Sequence, residues 1–168
     1  MTETDNQGTA SGFEPVAFFA ADHATVEGGK AYINGGFWDR ILETSYPTQI
    51  SVSLVAVVRV PAETSLANHR LMVEMEDGNR EKLPNFRIEG EFLVGTMRRL
   101  EPSEPTVLPV AIPLEGLNIE RAGDYWFVLS VDGHEIDRFR IRAMQIGVVS
   151  VQPPEDPESG SGDATQAE

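Results

Sequence analysis

The side chains best suited to proton transfer or metal binding near neutral pH are three histidines, His23, His69 and His134. None stands at the short spacing from another histidine that a metal site uses. His23 follows Asp22, but neighbours on a strand point to opposite faces, so adjacency does not make them a dyad. His69 and His134 sit in polar surroundings at strand or loop ends, His134 in an expected turn, and all three read as exposed or capping residues. Ser51 and Ser53 lie inside an apolar run with no base nearby in sequence, and no Gly-x-Ser-x-Gly elbow is present. The chain has no cysteine, which removes thiolate nucleophiles, thiolate metal sites and disulfides.

Carboxylates and glycines are the other carriers of chemistry. Glu74, Glu76 and Asp77 precede one turn, and Asp132, Glu135 and Asp137 flank another. Calcium needs several converging oxygens, often from an Asp-x-Asp spacing that these loops lack, so the acids read as a solvated face. Gly35-Gly36 in "KAYINGGFWDR" suggests a phosphate cradle, but such a loop leads into a helix, and no helical run follows. Two structural alternatives remain. Asn34-Gly35 forms a hairpin turn that sets Lys30 against Asp39, or the glycines form a bulge or kink where the strand leaves its sheet and Trp38 plugs the end of the core. A second turn so soon after Gly28-Gly29 leaves an unusually short strand, which favours the bulge.

The elements that must position these residues are strands. In "QISVSLVAVVRV" Ile50, Val52, Leu54, Ala56, Val58 and Val60 share one face, while Val55 and Val57 turn the other face apolar, as in a strand covered on both sides. Leu71, Val73 and Met75 share a face before an Asp77-Gly78 turn, and "EGEFLVGTM" follows as a strand. "AETSLANH" allows a short helical turn, and the prolines of "VLPVAIPL" mark an edge or bulged strand. In the last hairpin, an odd-length loop or a bulge sets Phe127 opposite Phe139 and Tyr125 opposite Ile141. Tyr125, Phe127, Leu129, Phe139 and Ile141 then point inward. Arg138, Arg140 and Arg142 form an outer stripe with Trp126 over a guanidinium, a candidate interaction surface.

The pattern predicts an all-β fold, a single antiparallel β-sandwich of about seven to eight strands. Residues 15–151 form the domain, with disordered acidic tails at 1–14 and 152–168. The net charge is −14, to which residues 1–15 contribute −3 and residues 155–168 −5. Such acidity argues against nucleic-acid binding. The N-terminus lacks a secretory pattern and the longest apolar run, "VAFFAA", is too short to span a bilayer, so a cytoplasmic protein is expected.

"ADHATVEGGKAYINGGFWDRI", "HRLMVEMEDGNRE" and "VLPVAIPLEGLNIERAGDYWFVLSVDGHEIDRFRI" together resemble a family of small bacterial proteins of unknown function. Its opening motif is A-D-x-A-x-V-x-x-G-K-x-Y-x-x-G-G-x-W, followed late by a G-x-Y hairpin, here Gly123 to Tyr125. The resemblance implies a β-sandwich in a bacterial or phage-related cytoplasmic setting and implies no catalytic residue. The expected function is a non-catalytic interaction or structural module without cofactor or metal, binding a protein partner or itself. The alternative is a module for a small ligand, either carbohydrate or calcium with a lipid headgroup.

Overall fold

The alternation in residues 48–60 builds the central strand of the molecule, and both of its faces are buried. The computed structural model describes residues 12–64, 66–94 and 104–147. In chain order the strands are β1 (Glu14–Glu27), β2 (Lys30–Gly36), β3 (Arg40–Glu43), β4 (Thr48–Val60), β5 (Asn68–Asp77), β6 (Lys82–Leu93), β7 (Thr106–Ile119), β8 (Gly123–Val131) and β9 (His134–Gln145). A 3-10 turn, Ala62–Thr64, interrupts them where a short helical turn is expected. One sheet has the order β2-β1-β4-β7 and the other β3-β9-β8-β5-β6. Val52, Leu54, Ala56, Val58 and Val60 of β4 share one buried cluster with Leu71, Val73, Tyr125, Phe127, Leu129 and Ile141 of the second sheet. Each buried Val, Leu, Ile or Phe among them contributes about 1.5–3 kcal/mol by leaving water.

Four expectations need correction. The described strands number nine, and they are not all antiparallel: β3 runs parallel to β9, pairing Arg40 with Arg142 and Glu43 with Gln145. The cause is a crossing, because β2 belongs to one sheet and β3 to the other, and the chain passes between them at 37–39. The N-terminal boundary also moves, since Phe13 is 2% exposed in the core and Glu14 opens β1. The remaining tail assignments, 1–11 and 148–168, lie outside the described residues. Finally, β6 begins at Lys82 rather than Glu89. Pro84 and Asn85 hide its start, and an edge strand tolerates both. Residues 95–97 of the expected strand are not among those described.

Other expectations hold in detail. β7 is an edge strand carrying Pro109 and Pro113. In the last hairpin Phe127 faces Phe139, Tyr125 faces Ile141, Trp126 faces Arg140 and Val128 faces Arg138. The tight turn Asp132-Gly133 is kept, and a register shift between Leu129 and Ser130 restores the matching of faces. Tyr125 is buried, and its hydroxyl donates to Arg121 O at 2.9 Å. That closes the β7–β8 connection in the manner of a tyrosine corner.

The outer face of β4 is covered by its own sheet. Phe19, Ala21, Ala24 and Val55 form a second small cluster. The three-residue step from Ala21 to Ala24 cannot keep one face along an unbroken strand. The break falls at Asp22, where the ladder with β2 passes from Ala21↔Gly36 to His23↔Asn34. Beyond it the hairpin bends over the sheet: Ala24 N–H donates to Ser53 Oγ at 3.1 Å, and β2 approaches β7 three places away. Val55 is thereby 0% exposed.

Candidate functional site

The stretch "KAYINGGFWDR" is resolved by register. Lys30 pairs with Glu27 across a two-residue turn in which Gly28 and Gly29 have φ of 56° and 74°. That is the geometry of a hairpin turn with both central residues left-handed. β2 then stays paired with β1 through Asn34 to Gly36, so no hairpin sets Lys30 against Asp39. The β1–β2 register does not shift either, so the glycines form a kink rather than an inserted residue. Gly35 has φ of 62°, and a Cβ there would overlap the Asp22 carboxylate. Beyond it Phe37, at φ of 66°, donates its N–H to Ala20 O at 2.9 Å and stacks on Phe19. Trp38 packs half-buried against the main core, and its indole N–H is buried without an acceptor among the described residues. The opening motif thus reads as the specification of a bent hairpin and a crossing between sheets.

A groove of about 500 Å³ is lined by Asn68, His69, Arg70, Met72, Arg87, Glu91, Asp132 and Gly133. His69, expected to be exposed or a cap, is instead 6% exposed, wedged against Phe13 and Phe92. Its Nδ1 lies 2.8 Å from Asp132 Oδ2 and its Nε2 2.8 Å from Thr64 O. The pair is 63 residues apart in sequence, so no local pattern announces it. A catalytic His–Asp dyad keeps one ring nitrogen free for a substrate proton. Here both nitrogens face acceptors, and the ring ties the turn after β4 to the β8–β9 turn. The Asp132 carboxyl is pushed up by burial, but the Arg70 N–H and His69 outweigh that and hold it below the usual range. His23 is exposed on β1 of the other sheet, whereas His134, also exposed, opens β9 two residues beyond Asp132 and is among the groups that lower its carboxyl.

The outer face of the five-stranded sheet carries the candidate surface. Trp126 is half-buried between two guanidiniums, with Arg80 at 4.3 Å and Arg140 at 6.0 Å from the ring centroid. The sequence pairs Trp126 with the stripe but misses Arg80, which arrives from the β5–β6 turn with φ of 68°. The stripe is internally neutralised. Arg138 contacts Glu76 at 3.1 Å and Glu135 at 2.5 Å, Arg142 contacts Asp124 at 2.7 Å, and Arg140 lies 3.7 Å from Asp124. The hydrogen bond from Arg142 leads the causes that lower the Asp124 carboxyl, whereas burial, then Glu76 and Asp137, raise that of Glu135. The side chains are therefore held in place as a lattice of alternating sign with one aromatic in its midst.

Among the described residues, no three histidine or carboxylate side chains converge as a cation site requires, and no helix is long and apolar enough to cross a membrane. No curated protein matches the chain. A family model does match residues 16–144, a span running from β1 into β9. The chain therefore belongs to that family, DUF6941, described as a family of unknown function.

Proposed function

We propose that the two sheets pack as a β-sandwich that acts without catalysis, as an interaction or structural module in the bacterial cytoplasm. The observation that carries this reading is the face around Trp126. An aromatic held between Arg80 and Arg140, within ion pairs that already fix the neighbouring side chains, presents a surface ordered before any partner arrives. Arg138, Arg140 and Arg142 supply its polar rim. The commitment of both His69 nitrogens to structure supports the non-catalytic half of the proposal. A Trp126→Ala variant tests the surface. Its oligomeric mass and its co-purifying proteins should differ from those of the parent chain, and identity in both would sink the idea.

The groove beside His69 favours a second reading, a site for a small polar ligand such as a carbohydrate. Asn68, Arg70, Arg87 and Glu91 line it over Met72. A thermal-shift screen with sugars, and with calcium for the lipid-headgroup variant, discriminates the two, because a ligand bound only by the native state raises its stability. No shift with any of them leaves this second reading unsupported.

A further inference from the structure

We propose that the groove where β3 meets β9 is a carboxylate-binding site, taking an acidic side chain of a partner protein with an apolar residue beside it. The groove, about 190 Å³, is lined by Asp39, Arg40, Arg140, Arg142 and Met144. It adjoins Trp126 through Arg140, and the site rests on the reading of this face as an interaction surface. A local conflict marks it. The parallel ladder sets Arg40 directly opposite Arg142, and Arg140 lies two residues away along β9 on the same face. Like charges placed directly opposite on one face of a sheet repel and destabilise it. Conflicts of this kind, kept against the local rules, collect at functional sites.

The carboxylates already present do not resolve the conflict. Arg142 holds Asp124 through two hydrogen bonds, at 2.7 and 3.2 Å. Arg140 stands 3.7 Å from the same carboxylate and Arg40 3.6 Å from Asp39, both longer than a hydrogen bond. Arg40 and Arg140 therefore keep N–H donors for a ligand, while Arg142, clamped by Asp124, fixes one wall. Three guanidiniums face two carboxylates, Asp39 and Asp124, which leaves a surplus of one positive charge on a chain whose net charge is −14. One further carboxylate balances that surplus, and the planar fork of an arginine fits it in bidentate fashion. Next along the same face Leu42 pairs with Met144, and the two are 54% and 40% exposed. They give an apolar neighbour of the acid a place to rest. Arginine and methionine are both enriched where proteins meet.

A blocked tetrapeptide, acetyl-Gly-Glu-Leu-Gly-amide, is the probe, with its glutamine counterpart and inorganic phosphate as the other arms. Each is titrated into the isotope-labelled full chain and followed by NMR. The Nε–Hε signals of Arg40, Arg140 and Arg142 and the methyl signals of Leu42 and Met144 should move with the glutamate peptide and saturate in roughly the millimolar range, as a contact this small allows. Arg40→Gln should weaken the peptide about tenfold, the worth of one charge-assisted hydrogen bond. Its urea midpoint should hold or rise, because the like-charge contact is relieved. Equal response to the glutamine peptide, a stronger response of the same signals to phosphate, or no response to any arm would overturn the proposal. So would an Arg40→Gln chain that binds as before or unfolds at lower urea. If the peptide fails while Trp126→Ala still alters the co-purifying proteins, the interaction surface stands and the carboxylate site alone falls.

Discussion

Replacing Gly35 by alanine should destabilise the protein far more than its exposed position suggests. Two terms add. The φ of 62° places Gly35 in the left-handed region, which costs an L-residue about 1–2 kcal/mol. The new methyl would also overlap Asp22 Oδ2 and lie 2.5 Å from Asp22 Cγ and 3.1 Å from its Cβ, so the carboxylate must swing away. Because Asp22 is exposed and can turn aside, this overpacking costs about 0.5–1.5 kcal/mol. The expected loss is thus about 1.5–3.5 kcal/mol, a large share of the roughly 5–15 kcal/mol that holds a domain together. Urea denaturation of Gly35→Ala should show a lower midpoint with unchanged slope. The two terms separate in a double-mutant cycle. Asp22→Ala removes the two closest atoms and leaves the Cβ, so it should recover most of the overpacking term and none of the backbone term. A Gly35→Ala loss below about 0.5 kcal/mol, the level of an ordinary surface change, would refute the reasoning. So would a cycle with no coupling between the positions.

Tyr125→Phe removes the hydroxyl that bonds Arg121 O at 2.9 Å and should cost about 0.5–1.5 kcal/mol in urea unfolding. His69→Ala deletes a buried ring that joins Asp132 to Thr64 and packs on Phe13. It should lower stability by about 2–4 kcal/mol, read from the same denaturation midpoint. The lowered Asp132 carboxyl gives a pH signature. A folded value below the unfolded one adds stability above the unfolded value, and that stability is lost as pH falls through the folded value. Asp132→Asn should therefore destabilise more at pH 7 than in strong acid, and parallel melts of the two proteins should converge on acidification.

Much of the fold was legible because side-chain period and face agree locally. β4 shows its two buried faces in its own residues, and the last hairpin reveals its register because only one alignment matches Phe127 with Phe139 and Trp126 with Arg140. What stayed hidden depends on contacts distant in sequence. The parallel partner of β3 is about a hundred residues away, and four residues carry too little pattern to select it. His69 meets Asp132 only because β5 pairs with β8. Arg80 reaches Trp126 from a turn whose geometry its residue types do not disclose. The bend at Asp22 was written in the sequence as Gly35, but the reason for that glycine is a carboxylate on the neighbouring strand. The candidate surface was therefore half visible: the stripe and its tryptophan were readable, whereas the acids that neutralise it, Glu76 and Asp124, were not assigned to it.

The claim that this chain works through a pre-ordered surface on its five-stranded sheet is tested most directly by hydrogen–deuterium exchange. The chain would be purified from its native cells with whatever it retains and compared with the chain stripped of partners. Added protection confined to β8 and β9, around Trp126 and Arg138 to Arg142, and lost in Trp126→Ala, is the predicted result. Identical exchange in the two preparations, or protection elsewhere that survives Trp126→Ala, would contradict it.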